Sequence, residues 1–143
     1  LIAIAADMHV PPENITLEIT DALEGVDFGV MKENADILKQ AGFKICLDDF
    51  GKGHIALKEL SELMPDVIGI DKNLLYAANT EQGRAMFESA VHMAKEMKAK
   101  VLCVGIETSE QAEVAECAGC DLLQGYFFFK PMPAEELRSI LKA

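Results

Sequence analysis

Apolar residues in this chain alternate between two rhythms. Short runs rich in Ile, Leu and Val, at Ile15–Thr20, Phe43–Leu47, Asp66–Ile70, Val101–Gly105 and Asp121–Leu123, have the length and composition of buried strands. Between them, apolar positions recur at helical spacing over Leu1–His9, about Val26–Gln40, Ala56–Leu63, Glu81–Lys98, Ser109–Ala118 and Ala134–Lys142. Punctuation supports the breaks. Pro11-Pro12 stops the first helix, Gly42 follows the second, Pro65 precedes a strand, and Gly119 closes the helix at Ser109–Ala118. Thr108-Ser109-Glu110-Gln111 has the form of a capping box. Within Glu81–Lys98, the residues Ala85, Met86, Ser89, Ala90, Met93, Ala94 and Met97 predict a buried stripe, with the methionines as core filler.

Five strands alternating with helices predict an α/β fold with parallel pairing through right-handed crossovers. Two architectures compete: an open doubly wound sheet and part of a (β/α)8 barrel. An intact barrel needs about 250 residues and eight strands, so this chain would supply about five βα units. No Gly-rich phosphate loop follows any strand, which weakens the doubly wound nucleotide-binding alternative. No linker or low-complexity segment interrupts residues 1–143, which read as one domain.

Composition narrows the function. The chain has 143 residues, 50% hydrophobic and 26% charged, within the range of a globular domain. Thirteen Lys and Arg against 24 Asp and Glu give a net charge of −11, which argues against a nucleic-acid polymer or an anionic membrane as partner. A small phosphate ligand stays open, because bound metal ions can supply positive charge. No apolar run approaches membrane-spanning length. Cys46 and Cys103 fall in predicted buried strands, while Cys117 and Cys120 have the spacing of half a metal site without a second half. The expectation is a reduced, cytoplasmic protein. The chain opens on Leu1 rather than Met, which suggests processing or excision from something longer.

The candidate chemistry lies where predicted strands end. Asp48-Asp49 close the second strand, followed by Phe50-Gly51-Lys52-Gly53. Adjacent carboxylates repel, and a divalent cation relieves that repulsion; a plain Asp-rich turn that caps a helix is the ordinary alternative. Glu18 sits in the first strand, Asp71 ends the third, Glu107 follows the fourth and Gln124 the fifth. All lie at or near the carboxyl ends of parallel strands, the side on which barrels and open α/β sheets build their sites.

These motifs, taken in order, resemble the C-terminal part of an EAL domain, the cyclic di-GMP phosphodiesterase family. Leu17-Glu18-Ile19-Thr20-Asp21 resembles the family's Glu-x-Thr-Glu strand, and Asp48-Asp49-Phe50-Gly51-Lys52-Gly53 resembles Asp-Asp-Phe-Gly-x-Gly. Asp66-Val67-Ile68-Gly69-Ile70-Asp71 resembles Asp-x-x-Lys-Ile-Asp, and Val104-Gly105-Ile106-Glu107-Thr108 resembles Glu-Gly-Val-Glu-Thr. Gln124-Gly125-Tyr126 and Lys130-Pro131-Met132-Pro133 resemble the closing motif. The resemblance implies a modified (β/α)8 barrel of TIM type, here with the N-terminal strands missing. It also implies cleavage of cyclic di-GMP to the linear dinucleotide with Mg²⁺ or Mn²⁺, and Glu18, Asp48 and Asp49 as metal ligands.

The departures carry equal weight. The Glu-Ala-Leu segment and a later Asn ligand are expected upstream. Gly69 stands where the family has a catalytic lysine, Val104 where it has a glutamate, and Asp21 where a second glutamate steadies the neighbouring loop. Glycine offers no cation to a phosphate, and valine neither accepts a proton nor binds a metal. Lys52 lies on a different loop, so rescue from it is not expected. The expected function is therefore an EAL-type cyclic di-GMP domain that is catalytically impaired and serves binding, regulation or assembly. An active phosphodiesterase within a full-length domain is the alternative, and a different metal-dependent phosphoester or sugar enzyme a distant third. Weak divalent-metal affinity and a homo-oligomer that covers the open sheet edges complete the expectation.

Overall fold

Five strands form one sheet, in the order β1-β2-β3-β4-β5, and all four pairings are parallel. The structure is a computed structural model and describes residues 1–20, 27–53 and 55–142. Its elements are α1 (Ile2–Asp7), β1 (Thr16–Thr20), α2 (Phe28–Gln40), β2 (Lys44–Phe50), α3 (Leu57–Leu63) and β3 (Val67–Ile70). They continue through α4 (Lys72–Ala77), α5 (Glu81–Glu96), β4 (Lys100–Cys103), α6 (Ser109–Ala118), β5 (Leu122–Leu123) and α7 (Ala134–Leu141). A doubly wound sheet reverses at a switch point, so its spatial order departs from chain order. Here the two orders coincide and every crossover steps the same way, as in a barrel. The partial barrel is the architecture present.

Period-two alternation divides the sheet. Ile45, Leu47, Ile68, Ile70 and Val101 pack into the core shared with the helices, each at most 1% exposed. Glu18, Asp48 and Gly69 alternate with those residues and face the other way, toward what would be the barrel interior. Predicted strand boundaries move by one to three residues. Asp66 and Asp121, expected as first strand residues, lie just outside β3 and β5.

Two elements differ from the sequence expectation. Helix α4 was not anticipated; at six residues it is too short for a periodic signal and is nucleated by Asp71, whose Oδ1 accepts from the Asn73 N–H at 3.0 Å. In α5 the buried face is Gly83, Phe87, Val91 and Ala94, so the predicted stripe is turned relative to the core. Met93 and Met97 do pack against the core, but Met86 is 62% exposed. Counting small residues and methionines favoured a neighbouring row; burial followed the bulkier Phe87 and Val91, which remove more apolar surface from water. The other predicted signals hold: Thr108 and Gln111 form the capping box of α6, and Gly119 ends it in the left-handed region at φ 93°.

Candidate functional site

The acidic pair sits in a bulge. Leu47 pairs with Ile68 and Phe50 with Ile70, so three steps along β2 match two along β3. In a regular strand Leu47 and Phe50 would face opposite sides. The extra residue lets both enter the core, at 1% and 8% exposure, and leaves Asp48 and Asp49 between them. Asp49 adopts φ 60°, a conformation that Asp tolerates better than most residues. Gly51 at φ 113° then turns the chain, with the Lys52 N–H donating to the Asp49 carbonyl at 3.2 Å. The turn brings Lys52 Nζ to 2.5 Å from Asp49 Oδ2 and 3.7 Å from Asp71 Oδ2.

Asp71 is the one buried charged residue among those described, 3% exposed. One carboxylate oxygen caps α4; the other has no hydrogen-bond partner among the described residues. Asp71 therefore caps a helix through Oδ1, while Oδ2 faces Lys52. Gly69, on the adjacent strand, meets the Asp48 carboxylate closely: a Cβ there would lie 2.7 Å from Asp48 Oδ1. Asp48 thus occupies the space above position 69.

Glu18 is further away. It pairs in register with Cys46, whereas Asp48 pairs with Thr20. The offset of two residues is about 7 Å along the strands. Its charge still reaches Cys46, whose thiol is pushed up to about 11 by burial first and then by the Asp48 and Glu18 charges. Glu107 belongs to a second grouping at the end of β4. The Tyr76 hydroxyl lies 3.2 Å from both Glu107 Oε1 and the Gly105 carbonyl, and the Glu107 N–H donates to Gln111 Oε1 at 2.7 Å. Loss of solvent raises the Tyr76 pKa first, reinforced by its hydrogen bond to Glu107. Gln124 is fixed by its main chain, donating to the Cys103 carbonyl at 2.9 Å and accepting from the Ile106 N–H at 3.1 Å, with its side chain exposed. Val104 is half-buried on the segment after β4. Asp21 lies outside the described residues.

The structure thus brings Asp48, Asp49 and Asp71 together, with Glu18 and Glu107 to either side. Hard carboxylate oxygens suit Mg²⁺ or Mn²⁺ in donor chemistry. As it stands the arrangement is an incomplete site: among the described residues no three His, Cys, Asp or Glu side chains are grouped to hold a metal ion, and Asp49 is engaged by Lys52. Sequence reading weighed Lys52 only as a substitute for the missing lysine, not as a partner of Asp49, and passed over Tyr76. The i, i+3 spacing of Asp49 and Lys52 across a glycine was a usable signal; Tyr76 was hidden because α4 itself was not foreseen.

A singly wound parallel α/β segment with carboxylates at the carboxyl strand ends is the frame on which barrel folds build their sites. Residues 1–131 match the EAL domain, and the chain belongs to that family. It is 35% identical over 131 residues to the probable cyclic di-GMP phosphodiesterase PdeB of Escherichia coli K12, covering 90% of this chain and 24% of PdeB. The PaMucR phosphodiesterase in complex with c-di-GMP superposes with a TM-score of 0.87 at 28% identity, over 94% of this chain and 55% of that one. The Klebsiella pneumoniae BlrP1 complex with manganese and cyclic di-GMP gives 0.80 at 25% identity, over 88% and 32%. The chain therefore spans well under two thirds of these relatives. Among the described residues no helix is long and apolar enough to cross a membrane, and all four cysteines are free.

Proposed function

We propose that this chain is a cyclic di-GMP signalling domain of EAL type, cytoplasmic, whose site binds or relays rather than hydrolyses. The carrying observation is Gly69: the position that resemblance assigns to a catalytic lysine has no side chain, and the Asp48 carboxylate lies over it. Val104 adds a second loss, since an aliphatic side chain supplies neither a base nor a ligand. Asp48 and Asp49, aided by Glu18, retain weak affinity for Mg²⁺ or Mn²⁺, because an ion offsets their mutual repulsion. A strong site needs more oxygen donors than these three provide.

Incubation of the protein with cyclic di-GMP and Mg²⁺ or Mn²⁺, followed by chromatography, tests this reading. The expected result is no linear dinucleotide above a protein-free control. Turnover that disappears in Asp48→Asn would overturn it and favour the active phosphodiesterase. Gly69→Lys together with Val104→Glu should not restore turnover, since neither substitution supplies the further metal ligands that Glu18, Asp48 and Asp49 lack. The open edges at β1 and β5 favour self-association, which sedimentation across a wide concentration range reads directly. A compact monomer at every concentration would exclude it.

A further inference from the structure

We propose that Lys52 is a built-in counter-ion of the carboxylate cluster, holding the position between Asp49 and Asp71 that a divalent cation would otherwise neutralise. The inference deepens the non-hydrolytic reading above and rests on the same site. Its first support is geometric. One ammonium group lies 2.5 Å from Asp49 Oδ2, on β2, and 3.7 Å from Asp71 Oδ2, at the end of β3. A single cation thus bridges two strands at their carboxyl ends, the bridging role a metal plays between carboxylates.

The second support is Asp71 itself. It is 3% exposed, and its Oδ2 lacks a hydrogen bond among the described residues while Oδ1 is spent on the Asn73 N–H. A buried carboxylate oxygen without a donor calls for a charge partner, and among the described residues Lys52 supplies it. The local chain geometry delivers that partner: the bulge places Asp49, its left-handed backbone and Gly51 reverse the chain, and Lys52 returns over the cluster. Gly69 completes the arrangement. Residue 69 shares a sheet face with Asp48, so a lysine there would bring a second ammonium group to the same carboxylates. With glycine at 69, one lysine serves the cluster. Lys52 and a divalent cation then compete, and without metal the lysine neutralises part of the cluster's negative charge.

Mn²⁺ titration of the whole chain, followed by the electron paramagnetic resonance signal of free Mn²⁺, tests this directly. Lys52→Met should bind Mn²⁺ about tenfold more tightly than the parent chain, since a neighbouring positive charge is removed from a partly exposed site. Lys52→Arg should bind as weakly as the parent. Without metal, Lys52→Met should melt at a lower temperature than the parent, and Mn²⁺ should restore more of its melting temperature than it adds to the parent. Adding Asp49→Asn to Lys52→Met should abolish the gain in affinity. Mn²⁺ binding in Lys52→Met no tighter than in the parent, or an unchanged metal-free melting temperature, would overturn the inference. Neither result bears on hydrolysis, which the nucleotide assay reads separately, so this inference and the non-hydrolytic reading fail independently.

Discussion

Asp66 and Asp121 stand at the amino ends of β3 and β5, whereas Asp48, Asp49 and Asp71 stand at the carboxyl ends of β2 and β3, and the two sets are held very differently. Asp66 Oδ2 accepts from the Ile45 N–H at 2.8 Å, and its own N–H donates to the Ile45 carbonyl at 2.8 Å. Asp121 repeats the device on β4: Oδ2 accepts from the Val101 N–H at 2.7 Å and the Asp121 N–H donates to the Val101 carbonyl at 2.9 Å. Asp121 also pairs with Lys95 at 2.5 Å. Each of these carboxylates closes a ring with the strand two elements earlier and satisfies a main-chain donor of a buried residue. At the other end, Lys52 pairs with Asp49 and Asp71, and among the described residues Asp71 Oδ2 has no hydrogen-bond donor. One end of the sheet uses its acids to join strands; the other keeps them available at a cost to stability.

The contrast predicts opposite responses to mutation. The largest effect is expected at Asp66. Asp66→Ala leaves the N–H of buried Ile45 without its acceptor and should lower stability by about 1 to 3 kcal/mol in denaturant melts. A loss no greater than a surface substitution would break the distinction between the two ends. Tyr76→Phe comes next. It removes the hydroxyl shared by Glu107 and the Gly105 carbonyl, and should cost about 0.5 to 1.5 kcal/mol.

Acid titration sharpens the comparison further. Lys95 first, and then the Val101 N–H, hold the Asp121 carboxyl below its usual range. A depressed carboxyl stabilises the fold above its unfolded value, about 3.9, and that contribution disappears as pH falls through the lower folded value. The stability gap between the parent and Lys95→Met should therefore be full near neutrality and close in strong acid. It should stay below about 1 kcal/mol, because the side chains of this pair are 37% and 35% exposed and solvent screens them. The smallest effect is expected at Asp48. Asp48→Asn removes one charge from a crowded cluster and should leave metal-free stability within about 0.5 kcal/mol or raise it slightly. A large loss would mean that Asp48 joins strands as Asp66 does.

The sequence by itself determined the strand–helix alternation, the caps at Thr108 and Gly119, and the placing of the acids at strand ends, because each rests on local spacing. It also set apart Gly69 and Val104, which stand where the motifs they resemble have a lysine and a glutamate. Tertiary structure decided the rest. Chain-order pairing separated the barrel from the doubly wound sheet, a question local periodicity leaves open because both use the same βα unit. The buried face of α5 depended on which row met β3 and β4, and α4 depended on Asp71 capping a helix too short to advertise itself. The bulge in β2 was invisible as well, because an extra residue is defined only against the strand beside it. That bulge, with the turn at Gly51, brings Lys52 back to Asp49 and Asp71. Residues 49, 52 and 71 become neighbours only when two parallel strands end side by side, a proximity that chain spacing does not encode.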